Sequence, residues 1–207
     1  MGTRMLILEA ATELFAERGF YGASVRDITG RVGASANAIS YHFGSKEELY
    51  REIIERLASD QLELAERVLS TPARSPEEFA VRLEVFFTGL LECYLDNRDT
   101  IRIIFREFEL LLPRGSDSVV GRMTHTNNVI AAFVREGIDA GLVRKDVDPD
   151  IVAGLLLDRV LNQARFTEAH KIYFNVSTLE ETYRKHWIQS TLGIVLHGIC
   201  GAGTPAA

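Results

Sequence analysis

Ser24-Val25-Arg26-Asp27-Ile28-Thr29-Gly30-Arg31-Val32-Gly33-Ala34-Ser35-Ala36-Asn37-Ala38-Ile39-Ser40-Tyr41-His42-Phe43-Gly44-Ser45-Lys46 reads as two short helices joined by a tight turn. Ser24 has the hydroxyl to accept a hydrogen bond from an unpaired amide in a first helical turn, and Val25, Ile28 and Val32 recur behind it at helical spacing. Gly33 follows the last apolar residue, where glycine can take the left-handed backbone that ends a helix without steric cost. Ser35 is placed to cap the next helix. Within that helix Ala38, Ile39 and Phe43 suit a core, which leaves Ala36, Asn37, Ser40, Tyr41 and His42 facing outward or along the edges. Small side chains let a helix approach a major groove, Asn and Ser hydrogen-bond base edges, and Tyr and His reach phosphates or a thymine methyl. Gly44-Ser45-Lys46-Glu47-Glu48 then ends the helix and caps another, with Lys46 at its positive end, a suitable place for a phosphate.

Paired helices around a glycine turn also occur in proteins that never touch DNA, so the flanking sequence has to decide. Upstream, Ile7, Ala10, Ala11, Leu14 and Phe15 form one helical stripe, closed by Arg18-Gly19-Phe20. Taken in order, Ile7-Leu8-Glu9-Ala10-Ala11, Leu14-Phe15-Ala16-Glu17-Arg18-Gly19-Phe20, Ser24-Val25-Arg26-Asp27-Ile28, Gly33-Ala34-Ser35 and Tyr41-His42-Phe43-Gly44-Ser45-Lys46-Glu47-Glu48-Leu49 resemble the N-terminal domain of the tetracycline-repressor (TetR) family of bacterial transcriptional regulators. The resemblance covers about the first quarter of the chain. It departs from the family at Ser24, where Thr is common, and at Asn37 and Ser40, where Gly-x-x-Tyr is common in the reading helix. These departures bear on the operator sequence rather than on DNA binding.

The resemblance implies double-stranded DNA as a partner. It places Ser24 and Arg26 near phosphates, and Ala36, Asn37, Ala38, Ser40 and Tyr41 along the groove beyond Ser35. His42 and Lys46 would hold the backbone. Phosphate contacts set affinity and its salt dependence, whereas base-edge contacts set sequence preference, for which Asn37 is the leading candidate.

A chain of 207 residues has room for a small N-terminal domain and a larger one with its own core. The expected division is 1–46 for DNA binding, 47–200 for ligand binding and dimerisation, and 201–207 as a flexible tail. The formal net charge of −6 argues against indiscriminate nucleic-acid binding. Within 1–46, however, Arg4, Arg18, Arg26, Arg31 and Lys46 face Glu9, Glu13, Glu17 and Asp27, so that segment is near +1 and the remainder near −7. Cys93 and Cys200 fit neither a metal spacing nor a redox pair and read as incidental thiols in a reducing cytoplasm. No apolar run has the length of a membrane span or a secretory signal, so a cytoplasmic protein is expected, with no cofactor and no metal.

The rest of the chain reads as all-α. Helices are expected over Lys46–Leu69, from Ser75-Pro76 to about Leu95, over Thr100–Leu112, and from Asp117 or Ser118 to Ala140. Another should run from Asp148-Pro149 to about His170, and the last from Ser177 or Thr178 to Ile199. Pro113-Arg114-Gly115-Ser116 separates the third and fourth of these. The final two are apolar over more than one face, through Val152, Leu155 and Leu156 and through Trp187, Ile188, Leu192 and Val195. Such helices suit either a buried core or a subunit interface. The family resemblance implies the interface, a four-helix bundle of a homodimer, and two related reading helices then match a palindromic operator.

Between these elements, Phe86, Phe87, Tyr94, Phe105 and Phe133 supply apolar surface, and Arg102, Arg106, His125 and Asn128 are polar residues that could anchor a small organic effector. The plainer reading of the aromatic stripe is core, and of the arginines a solvated helix face. No metalloprotease His pair, nucleophile elbow or phosphate-cradling glycine loop points to catalysis. A ligand-responsive repressor released from DNA by its effector is the principal expectation. A helical ligand-binding or enzymatic protein without DNA-binding activity is the alternative.

Overall fold

The computed structural model describes residues 2–111 and 117–200, which hold ten helices and no named strand. These are α1 (Thr3–Gly22), α2 (Val25–Arg31), α3 (Asn37–Phe43), α4 (Lys46–Leu69), α5 (Pro76–Asp96), α6 (Arg98–Leu111), α7 (Asp117–Asp139), α8 (Pro149–Arg165), α9 (Thr167–Phe174) and α10 (Glu181–Ile199). The expected stop at Pro113-Arg114-Gly115-Ser116 and the tail 201–207 lie outside the described residues. The chain forms two compact units. Met1–Ser59 joins Asn97–Gly121 in one, and Asp60–Asp96 joins Arg122–Ala207 in the other.

In the first unit Ile7, Leu8, Ala10, Ala11, Leu14 and Phe15 of α1 are buried, and α1 packs against α2 and α6. At Gly19 (φ 74°, ψ 172°) α1 leaves helical geometry and resumes for one short turn, as the Arg18-Gly19-Phe20 signal leads one to expect. A full capping box opens α2: the Asp27 amide donates to Ser24 Oγ at 3.1 Å and the Ser24 amide donates to the Asp27 carboxylate at 2.9 Å. Gly33, at φ 65°, then turns the chain. Ser45 opens α4, its Oγ accepting from the Glu48 amide at 3.0 Å.

The second unit is built on α5, where Phe79, Leu83, Phe86, Phe87, Leu90 and Leu91 are fully buried. This is the core reading of the aromatic stripe. Phe79 stacks on Phe133 of α7 with centroids 4.8 Å apart, and both α8 and α10 pack against α5. Gln61 donates to the Tyr94 hydroxyl inside this core, so both polar groups are satisfied.

Three local expectations need correction. Ser35 does not cap α3 with its side chain; the cap position is Ala36, and Ser35 instead supplies its carbonyl to the Ala38 amide at 2.9 Å. The helix opened by Asp148 ends at Arg165 instead of continuing to His170, with Phe166 at φ −95°, ψ 10° separating α8 from α9. The last helix starts at Glu181, because the hydroxyls read as its start are used elsewhere. Ser177 Oγ accepts from the Leu179 amide in a turn, and Thr178 is buried against Thr167, their hydroxyls 3.2 Å apart.

Candidate nucleic-acid interface

The seven residues of α3 divide cleanly between two faces. Ile39 and Phe43, one turn apart, anchor the helix in the first unit, with Ile39 only 1% exposed. Asn37, Ser40 and Tyr41 lie at i, i+3 and i+4 on the outward side; all three are exposed, Tyr41 at 85%. Ser35 and Ala36 are exposed at the entry to the helix, while Ala38 and His42 are half-buried along its edges. The Tyr41 and His42 rings meet edge to face at 4.8 Å, which restrains both.

Around α3 stand the residues expected at phosphates. Arg26 is exposed on α2 and has no carboxylate in ion-pair range among the described residues. Lys46 is half-buried with its Nζ 4.2 Å from the Phe20 ring centroid, an arrangement that keeps the stem packed and the charge at the surface. Ser24 is committed within the fold: its hydroxyl donates to the Asp27 carboxylate at 2.6 Å while accepting from the Asp27 amide. Donation from the Ser24 hydroxyl and from the Ser24 amide, with a smaller contribution from Arg18, holds the Asp27 carboxyl below its usual range. Arg31 pairs with Glu13 at 2.8 Å and fastens α2 to α1.

Two family models match the chain. "Bacterial regulatory proteins, tetR family" covers residues 7–53, and "Tetracyclin repressor-like, C-terminal domain" covers 75–165. The chain belongs to the TetR family. Among curated relatives, the HTH-type transcriptional repressor DhaR of Mycobacterium sp. (strain GP1) is 27% identical over 74% of this chain and 76% of its own length. The HTH-type transcriptional repressor KstR2 of Mycobacterium tuberculosis is 29% identical over 73% and 74% respectively. The solved structure of the ketosteroid transcriptional regulator KstR2 of Mycobacterium tuberculosis superposes with a TM-score of 0.76 at 24% identity, covering 97% of this chain and 96% of that one. The helix-turn-helix of α2 and α3 lies within the stretch matched by the first of these models, and the chain is a DNA-binding transcriptional regulator of the TetR family.

The residues expected at an effector are distributed over two helices. Arg102, Phe105 and Arg106 follow along α6; His125 and Asn128 belong to α7, in the second unit. Arg102 is exposed and pairs with Asp99 at 3.2 Å. Arg106 donates to the carbonyls of Ala16 and Glu17, Phe105 is half-buried, and Asn128 is exposed. His125 Nε2 lies 3.4 Å from a Glu66 carboxylate oxygen on the surface.

Of the residues read as a dimer interface, Val152, Leu156, Trp187, Ile188, Leu192 and Val195 are buried within the single chain. Leu155 remains exposed, and Ile151 and Ile194, which fell outside that set, are exposed on the same two helices. Periodicity did not separate the outward face of these helices from the buried one, because both faces carry apolar side chains.

Among the described residues no three His, Cys, Asp or Glu side chains gather as a metal site, and no helix is long and apolar enough to cross a membrane.

Proposed function

We propose that the chain is a dimeric, effector-responsive repressor that reads a palindromic operator in the cytoplasm, with residues 1–46 on DNA and residues 47–200 carrying the effector and dimer contacts. The observation that carries this reading is the outward face of α3, where Asn37, Ser40 and Tyr41 stand exposed above the Ile39 and Phe43 anchors. A helix so presented fits the major groove, with the Asn37 amide matching the donor and acceptor edge of adenine. Arg26 and Lys46 supply sequence-independent phosphate contacts.

The dimer face is assigned to Ile151 and Leu155, one turn apart on α8, and Ile194 on α10, each more than half exposed. A two-fold dimer would set its reading helices at half-sites about 34–36 Å apart, or a multiple of this. An effector that favours a different separation lowers DNA affinity, and DNA lowers effector affinity by the same factor.

Selection of bound genomic fragments, followed by mobility shifts with wild type and a Tyr41→Ala, Lys46→Ala double variant, tests the reading. Enrichment of palindromic fragments and loss of binding in the double variant are expected. Equal binding by the two chains would refute it, and a monomer in micromolar light scattering would refute the dimer.

A further inference from the structure

Phe43 is the last residue of α3 and Lys46 the first of α4, so only Gly44 and Ser45 join the outward-facing helix to the longest helix of the fold. The chain bends there with Gly44 at φ 84°. Arg4, from the first turn of α1, spans this joint. Its Nη2 donates to both carboxylate oxygens of Glu52 on α4, at 2.8 and 2.6 Å, and its Cζ lies 4.7 Å from the centroid of the Phe43 ring. One turn along α4 from Glu52, Arg56 Nη1 donates to Met5 Sδ at 3.7 Å and seats the same end of α1. Arg31 and Arg106 each link two helices of this unit, whereas Arg4 links three.

An ion pair with side chains 48% and 28% exposed adds little to folding stability, so the consequence of this one is geometric. A guanidinium held by a carboxylate and lying on a ring is fixed in both distance and plane. Phe43, 9% exposed, is thereby pinned from its outer side, and with Ile39 one turn away the tilt of α3 is set. Asn37 lies about 9 Å along the helix axis from Phe43 and carries any change of that tilt. Base-edge hydrogen bonds hold only over about 2.7–3.2 Å, while phosphate contacts from long side chains tolerate a shift. A guanidinium already neutralised by Glu52 is itself a poor phosphate ligand.

We infer that Arg4 is a positioning residue for operator recognition: by bridging Glu52 and the Phe43 ring across the Gly44 turn, it fixes the angle at which α3 presents Asn37. This rests on the base-reading role given above to the outward face of α3.

Removing a carboxylate near DNA ordinarily tightens binding to every sequence, so Glu52→Gln separates geometry from charge. Mobility shifts over a salt series would compare full-length wild type, Glu52→Gln, Arg4→Met, Arg4→Lys and the Arg4→Met, Glu52→Gln double variant. Each is titrated with a fragment selected by wild type and with non-operator DNA. The ratio of the two affinities is the readout, because a partly unfolded sample loses both alike. Glu52→Gln and Arg4→Met should each lower the ratio about threefold or more, with the salt slope of Arg4→Met unchanged. Arg4→Lys should keep part of the ratio, and the double variant should lose no more than Arg4→Met alone. An unchanged ratio in either single variant, or additive losses in the double variant, would overturn the inference. Tighter operator binding by Glu52→Gln, or a slope reduced by about 1 in Arg4→Met, would also overturn it and make Arg4 a phosphate contact. Wild type that prefers no fragment over bulk DNA defeats the base-reading role and this inference together; wild-type preference that the variants retain defeats this inference alone.

Discussion

The Arg106 guanidinium donates to the main-chain carbonyl of Glu17 at 3.0 Å, joining α6 to the C-terminal turn of α1 across 89 residues of chain. The Ala16 carbonyl lies within reach of the same nitrogen, at 3.4 Å. Both carbonyls immediately precede the break at Gly19, where the helix can no longer satisfy them and its dipole favours a cation. Arg106 is thus occupied in holding the support of the helix-turn-helix.

Replacing Arg106 with Ala should destabilise the chain by about 1 kcal/mol, in line with a partly exposed helix-terminus cation. Urea titration by circular dichroism reads this as a lower midpoint at unchanged slope. Arg106→Lys should recover part of the loss, since the charge at the helix end is kept. An unchanged midpoint in Arg106→Ala would show that the hydrogen bonds contribute nothing measurable.

The two classes of DNA contact should separate by salt dependence and sequence preference. Lys46→Ala should weaken binding to all sequences alike and reduce the slope of log affinity against log salt by about 1. Asn37→Ala should leave the slope unchanged and relax discrimination at one base pair by about 1–3 kcal/mol. Quantitative mobility shifts over a salt series, on the operator and its single-base variants, would detect either pattern; identical behaviour of the two variants would contradict the assignment.

Acid should weaken the start of α2. The Asp27 carboxyl is held below its ordinary value of 3.8 chiefly by the Ser24 hydroxyl and amide. A depressed folded value means that its stabilising contribution is complete above the unfolded value, and is lost as pH falls through the lower folded one. Helicity followed from pH 6 to about pH 2 should therefore show an acid limb that Ser24→Ala shifts to higher pH. If the two chains lose helicity at the same pH, the capping box does not carry the effect.

Gly137 lies in α7 where an added Cβ would stand 2.8 Å from Phe79 Cε2 and 2.9 Å from Val143 Cγ2. Within a helix Gly→Ala ordinarily gains about 1 kcal/mol, but forcing a methyl into a closed core costs about 1–3 kcal/mol. Gly137→Ala should therefore destabilise or at best leave stability unchanged, as thermal unfolding would show. A raised melting temperature would mean that the Phe79–Phe133 stack and Val143 yield freely.

Cys93 should resist thiol reagents. Burial, reinforced by Asp60 and Asp96, raises its thiol to about 11. At pH 8 about one molecule in a thousand then carries the thiolate there, the form that reacts. Modification at pH 8 should be slow compared with a free cysteine and accelerate as pH rises toward 11, by mass spectrometric assignment of the labelled position. Rapid labelling at Cys93 under native conditions would contradict this.

Much of the first unit was legible because its signals are local. The capping hydroxyls of Ser24 and Ser45, the breaks at Gly19 and Gly33, and the anchors Ile39 and Phe43 each act over a few residues, so the sequence spells out α1 to α4 and the outward face of α3. The same logic misplaced Ser35, Ser177 and Thr178, since a hydroxyl that can cap a helix can equally close a turn or pair inside a core.

What remained beyond reach depends on partners distant in the chain. Periodicity assigns apolar faces but not their covering, so it could not tell that Trp187 lies under Arg159 and against Phe87 while Leu155, equally apolar, stays exposed. Nor could it see Arg106 turned to the end of α1, or Trp187 Nε1 and Gln163 Oε1 left without partners among the described residues. Helix order follows from short-range propensity and capping, written into neighbouring residues. The use of each polar group is settled by packing between helices, where the free energy of desolvation depends on what arrives from elsewhere in the chain.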